Sequence, residues 1–191
     1  MSTGRLILAP QDPFHIVEYD NLLDTLTSIG LAGPAVEGRE NAFFAGDDLM
    51  QLITFAGCSP FLRFEPESPE DDDFCHLQLT LKSEKDDPLF LSGETSKPPA
   101  CPHCRKPVKG WQEKMASWRQ SKGEWLCEGC GESNSPMMLN WRKYAGFGRT
   151  LVEIFSIFPG EAVPVPTLLT GLKENTGVGW IYFYIINPAT K

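Results

Sequence analysis

The sequence predicts an α+β or α/β fold, a mixed sheet built from two strand–helix–strand halves with a cysteine-bearing insert between them. Three observations predict it. Apolar residues recur at helical spacing in an early and a late segment, each flanked by short apolar runs. Residues 75–82 alternate between apolar and polar, as a half-buried strand does. Four of the six cysteines gather in the middle of the chain.

Leu6–Leu8 is an apolar run that starts a strand. Asp20 reads as the N-cap of a helix carrying Leu22, Leu23, Leu26 and Ile29, with Gly30 just past its end. Ala42–Phe44 reads as a strand. Asp47 then caps a helix with Leu49, Leu52, Ile53 and Ala56 on one face, closed by Gly57 and followed by a strand over Pro60–Phe64. Residues 65–73, EPESPEDDD, hold two prolines and six acids and read as a solvated loop. In the alternating strand Cys75, Leu77, Leu79 and Leu81 face one way, and His76, Gln78, Thr80 and Lys82 the other.

Residues 83–100 hold turn residues around a short PLFL run and lead to the first cysteine pair. Tyr144–Arg149 (YAGFGR) reads as a glycine-rich structural turn, because a phosphate-binding loop would follow a strand and open a helix. Thr150–Phe158 is apolar on both faces except at Glu153 and Ser156, which suits a central strand. A helix with Val165, Leu168, Leu169 and Leu172, closed by Gly177, then leads to the aromatic strand Trp180–Ile186. Phe44–Asp47 and Phe158–Glu161 are alike in sequence, so the two halves can be read as a duplication or as two units capped by the same rules. The expected organisation is an N-terminal half over 1–95, an insert over 96–145, and a C-terminal half over 146–191 that packs with the first.

The formal net charge of −8 is unevenly spread. Residues 1–100 carry 6 Lys/Arg and 18 Asp/Glu, whereas residues 101–150 carry 9 and 4. An acidic body therefore bears a basic insert. The first residues show no basic segment leading into an apolar one, and no apolar run approaches the roughly 18 residues that span a bilayer. The expectation is a cytoplasmic protein with no membrane partner. In that compartment thiols stay reduced, so the cysteines point to metal rather than to disulfides.

Cys101-Pro102-His103-Cys104 and Cys127-Glu128-Gly129-Cys130 are two Cys-x2-Cys knuckles with 22 residues between the inner cysteines. Two residues of spacing let both thiolates of a knuckle reach one metal, and two knuckles complete a tetrahedral four-sulfur site. The stretch resembles the zinc-ribbon module, on these four cysteines with Trp125 and Gly131 beside the second knuckle. Its intervening loop is longer than in the shortest ribbons and holds a helical piece, Gln112–Gln120. The resemblance covers about thirty residues and implies one structural Zn2+ held by Cys101, Cys104, Cys127 and Cys130. Rubredoxins hold redox iron on similar knuckles, in a small acidic domain with glycine after each. Here the insert is basic and Arg105 follows the first knuckle, which favours zinc. Four protein ligands leave no open position, so the metal would not be a catalyst. His103, inside the first knuckle, is expected to face outward.

Trp111, Trp118 and Trp125 recur every seven residues among lysines and arginines. Trp111, Trp118, Arg119 and Lys122 are therefore candidate partner-binding residues, for stacking and phosphate contact if the partner is RNA or single-stranded DNA. The competing reading is that the tryptophans pack over the knuckles and dock the insert on the sheet while the lysines stay solvated. Neither His15, His76 nor His103 lies in a nucleophile–base motif. Cys58 sits in a turn-like Gly57–Pro60 segment, and Glu153 and Glu161 are the carboxylates whose surroundings could perturb them. The functional expectation is a non-catalytic zinc-ribbon adaptor that contacts a protein partner or macromolecular complex. Nucleic-acid binding through the basic aromatic insert is the first alternative, and an enzyme of unknown class the second.

Overall fold

The computed structural model describes residues 3–55, 62–157 and 162–187. Strand β1 (Thr3–Pro10) is followed by helix α1 (Tyr19–Ser28), strands β2 (Ala32–Ala35) and β3 (Ala42–Ala45), and a single helical turn α2 (Leu49–Leu52). Strands β4 (Ile53–Phe55), β5 (His76–Leu81) and β6 (Leu89–Ser92) lead to helix α3 (Trp111–Ser121) and the short strands β7 (Trp125–Leu126) and β8 (Ser133–Asn134). After β9 (Ala145–Gly148) come β10 (Thr150–Phe155), β11 (Ala162–Pro164), helix α4 (Pro166–Thr176) and β12 (Trp180–Asn187).

Six strands form one sheet in the order β12-β1-β10-β5-β3-β2. Every neighbouring pair in it is antiparallel, so the fold is α+β and the sheet does not mix parallel with antiparallel pairing as expected. The reason lies in the connections. β1 and β5 run parallel on either side of β10, and β10 and β12 run parallel on either side of β1. Each strand–helix–strand crossover thus straddles a strand of the other half, the split β-α-β plan of ferredoxin-like sheets. The β2–β3 hairpin extends the β5 edge.

This pairing changes which halves correspond. The helix expected over Asp47–Ala56 is only the turn α2, because Ile53, Thr54 and Phe55 pair as β4 with β11. β-branched and aromatic side chains at 53–55 suit a strand, and the pairing outweighs a weak helical stripe. The counterpart of α4 in the first half is α1, against which it packs. Residues Phe158–Glu161 and Cys58 lie outside the described residues, as do Ala56 and Gly57. Leu62–Phe64 are not a strand, and Pro60 and Phe61 lie outside the described residues too. Asp20 is inside the first turn of α1, whose N-cap is Glu18, so it complements the helix dipole rather than capping.

One face of the sheet buries Leu6, Leu8, Leu77, Leu79, Val152 and Ile154 under Leu22 and Leu26 of α1 and Leu168 and Leu172 of α4. Fully burying each such side chain is worth ~1.5–3 kcal/mol. The opposite face is covered in part by the β6–β9 pair, whose Leu89 and Leu91 pack on Ile7, Leu151, Phe183 and Ile185. YAGFGR is therefore mostly a strand and not a turn. Its glycines allow close approach, since a Cβ on Gly146 would lie 2.4 Å from the Phe183 ring and one on Gly148 2.6 Å from Leu151. Phe90 and Phe147 point the other way, to a second small core with Trp111, Met115 and Trp118 of α3. Leu-Phe-Leu in β6 and Gly-Phe-Gly in β9 are a two-sided pattern. Leucines and glycines meet the sheet while phenylalanines meet the insert.

The acidic segment 65–73 is a loop as expected, but two arginines tie it down. Arg63 pairs with Glu67 at 2.7 Å and Asp71 at 3.0 Å, and Arg39 pairs with Asp72 at 2.8 Å. The amides of Glu67 and Asp73 donate to Asp71, which together with Arg63 holds its carboxyl below the ordinary range.

Gly146→Ala should destabilise the protein by about 1–3 kcal/mol, because the buried Phe183 ring would be pushed from its packed position. Chemical denaturation checks this; an unchanged midpoint would mean that β9 can lift off the sheet at no cost.

Candidate metal centre

The two knuckles fold by the same hydrogen bonds. In the first, the Cys101 amide donates to the Lys106 carbonyl at 2.9 Å and the Arg105 amide to the Cys101 carbonyl at 2.9 Å. In the second, the Cys127 amide donates to the Glu132 carbonyl and the Gly131 amide to the Cys127 carbonyl, both at 2.8 Å. Each turn closes on a residue with positive φ, 62° at Arg105 and 77° at Gly131. Arg105 thus takes the left-handed backbone that glycine takes more cheaply, and the residue type there leaves the knuckle geometry intact.

These turns bring Cys101, Cys104, Cys127 and Cys130 together with all four sulfurs within 4.8 Å of one another. Sγ of Cys101 lies 3.7 Å from that of Cys130, and Sγ of Cys104 lies 3.6 Å from that of Cys127. A tetrahedron of sulfurs around a metal at ~2.3 Å has edges of about 3.8 Å, so the donor set can hold one metal ion and is compatible with zinc. The Gly129 and Cys130 amides donate to the Cys127 sulfur and draw its thiol down to about 6. Cys130 moves up to about 12: the Glu132 amide lowers it, but desolvation and the sulfurs of Cys127, Cys101 and Cys104 outweigh that pull. A cation at the centre of the set would bind the sulfurs as thiolates and displace their protons.

His103 is not among the donors. Its Nε2 lies 3.1 Å from Oδ1 of Asn134, so the ring of the first knuckle braces the second. The site also rests on Gly129, where a Cβ would lie 2.5 Å from the Lys106 side chain and 3.2 Å from the Cys104 sulfur. Ala100 is joined to Asn140 by two backbone hydrogen bonds of 2.8 and 3.0 Å, which anchor the first knuckle to the chain that returns to β9.

The four residues proposed for partner contact do not form one exposed patch. Trp111 and Trp118 are only 5% and 4% exposed. Trp111 meets Trp141 edge-on at 5.3 Å, and Trp118 meets Phe147 edge-on at 5.8 Å. Their rings are core, packed with Met115, Leu139 and Trp141 against Phe90 and Phe147. Arg119 and Lys122 are exposed, but Lys122 lies 4.6 Å from the Trp118 ring centroid and pairs with Asp87 at 2.8 Å. Sequence spacing alone could not separate a stacking ring from a packed one.

Among the other titratable candidates, Cys75 is buried and its thiol is pushed up to about 12 by desolvation, so it is inert. Glu161 and Cys58 lie outside the described residues. Glu153 is buried on the side of the sheet opposite the helices, where Arg5 Nη1 donates to it at 2.7 Å and Thr80 Oγ1 at 3.4 Å. Desolvation still raises its carboxyl, against the lowering by Arg5 and Thr80. His76 shares that face, stacked between Phe74 at 4.5 Å and Phe155 at 4.6 Å, and Arg5 lies over Phe155 at 5.3 Å. Desolvation between the rings lowers the His76 imidazole. Arg5 is the partner that sequence reasoning missed, because the β1–β10 pairing that makes it a neighbour of Glu153 spans most of the chain.

No helix among the described residues is long and apolar enough to cross a membrane. No family model, no curated protein and no solved structure matches the chain.

Cys127→Ser should abolish tight metal binding, open the β7–β8 hairpin and leave the six-strand sheet folded, since that sheet's main core contains none of the four cysteines. Loss of all cooperative unfolding, by circular dichroism with and without chelator, would make the knuckles integral to the whole fold. Arg5→Leu should cost ~3–5 kcal/mol by leaving a buried carboxylate without its cation, and Arg5→Leu with Glu153→Leu much less. Because Glu153 holds its proton more tightly folded than unfolded, the single-variant deficit should shrink as pH falls into the ordinary carboxylate range. A deficit independent of pH would refute that origin.

Proposed function

We propose that Cys101, Cys104, Cys127 and Cys130 hold one structural Zn2+ in a zinc-ribbon insert, and that the chain is a non-catalytic binding protein whose insert contacts a protein partner. The observation that carries the reading is the closed four-sulfur set. Its edges of 3.6 and 3.7 Å suit zinc, and His103 is engaged with Asn134, so every donor is thiolate and none is left for chemistry.

The surface of the insert suits an acidic protein segment. Leu126, beside the second knuckle, is 62% exposed and borders a groove of about 240 Å³ lined also by Lys106, Lys109, Lys114 and Glu128, of which Lys114 and Glu128 pair at 3.7 Å. An exposed leucine beside the exposed Lys106 and Lys109 offers an apolar anchor with cationic neighbours. The nucleic-acid alternative loses weight because Trp111 and Trp118 are buried and cannot stack on bases.

Elemental analysis of the purified full-length protein should return about one zinc per chain in a colourless sample; a red protein would assign the site to iron. A partner retained by the tagged protein should survive nuclease treatment and be lost on Leu126→Asp with zinc content unchanged. Retention that disappears with nuclease would support the nucleic-acid reading, and retention unaffected by Leu126→Asp would place the contact elsewhere.

A further inference from the structure

A cavity of about 390 Å³ lies between the returning arm of the insert and the free edge of β12, away from the cysteines. Its walls are apolar and largely aromatic, formed by Trp141, Phe147, Leu169, Trp180 and Phe183. Its polar lining is Gln11, Asn140, Arg142, Lys143 and the Tyr182 hydroxyl, with no carboxylate. In a chain of 25 acids and 17 bases, a cavity lined by two cations and no acid is a built electrostatic environment. Among the described residues neither Arg142 nor Lys143 enters an ion pair.

The backbone that carries those cations is strained. Arg142 and Lys143 have φ of 52° and 64°, and the Tyr144 amide donates to the Trp141 carbonyl at 2.9 Å, the pattern of a type I′ turn. That turn favours Asn-Gly, and long cationic side chains there are disfavoured. It is held by its surroundings: Asn140 Oδ1 accepts from the Arg142 amide at 2.9 Å, and the Lys143 carbonyl accepts from the Tyr184 amide of β12 at 2.9 Å. The Lys143 ammonium meets the Tyr182 hydroxyl and lies 3.8 Å from its ring centroid, on the cavity lining. Strain kept in place by neighbouring contacts marks functional sites more often than idle turns.

We propose that this cavity binds a small planar molecule bearing one anionic group, a carboxylate or a phosphate, with the ring over the half-buried Leu169 and Tyr182 and the exposed Ile181, beside Trp141 and Trp180, and the anion on Arg142 and Lys143. Pockets of this size with apolar walls and a few convergent polar groups suit such ligands, and charge-assisted hydrogen bonds to arginine and lysine would fix the anion. The site is independent of the zinc reading and of the Leu126 surface.

The test titrates 15N-labelled full-length protein with indole-3-carboxylate and with adenosine 5′-monophosphate, each beside its uncharged counterpart, indole-3-carboxamide and adenosine. Five tryptophans give five indole N–H signals, and only Trp141 and Trp180 line the cavity. At least one anion should shift those two signals saturably while leaving Trp118 and Trp125 in place, and should bind about tenfold or more tightly than its neutral counterpart. Which anion wins separates carboxylate from phosphate. Arg142→Gln with Lys143→Gln should weaken binding about tenfold or more. Arg142→Asn with Lys143→Gly should raise the thermal midpoint, since it relaxes the turn, and lose binding to the same extent. No saturable shift with either anion into the low millimolar range, equal affinity for charged and uncharged probes, or full binding by either variant would overturn the proposal.

Discussion

One pair of strands carries the chain between the body and residues 96–145, and much of the structure depends on how closely that pair lies on the sheet. β6 and β9 carry the chain out of and back into the body. Gly146 and Gly148 let β9 approach Phe183 and Leu151 at distances no side chain permits, while Phe90 and Phe147 on the outer face give α3 a surface for its tryptophans. A bulkier residue on the inner face would lift the ribbon, and with it the small aromatic core and the orientation of both knuckles.

Charge follows the same division. The body's acids are concentrated in loops, where Arg39 and Arg63 neutralise part of the run at 65–73, while Lys106 and Lys109 stay exposed beside Leu126. Inside the sheet a single ion pair, Arg5 with Glu153, faces a stack of Phe74, His76 and Phe155. Burying that pair adds little net stability, but losing one partner leaves a charge without compensation. These polar groups lie on the side of the sheet opposite α1 and α4, where the β6–β9 ribbon packs on Ile7, Leu151, Phe183 and Ile185.

The antiparallel sheet also explains a twofold relation that the residues alone misplace. Exchanging β1 with β10, β12 with β5 and α1 with α4 maps the four strands β12-β1-β10-β5 onto themselves, with the β2–β3 hairpin outside the relation. Local likeness between Phe44–Asp47 and Phe158–Glu161 points to a different alignment of halves, and α2 is too short to match α4. Topological correspondence of this kind needs only two crossovers of the same hand and carries no statement about ancestry.

The sequence by itself determined what depends on near neighbours along the chain. The stripe of Leu168 and Leu172 with Gly177 at its end placed α4, the alternation at 76–81 placed β5, and Cys-x2-Cys spacing named the four sulfurs that meet, because periodicity and short turns are local geometry. Tertiary structure decided the rest. Only packing shows that Trp111 and Trp118 are core, that Ile53–Phe55 pairs with β11, that Arg5 meets Glu153 across 148 residues, and that Arg142 and Lys143 stand on a strained turn beside an aromatic cavity. Each of these turns on which distant segment covers which face, and a one-dimensional pattern records how a residue repeats but not what comes to lie against it.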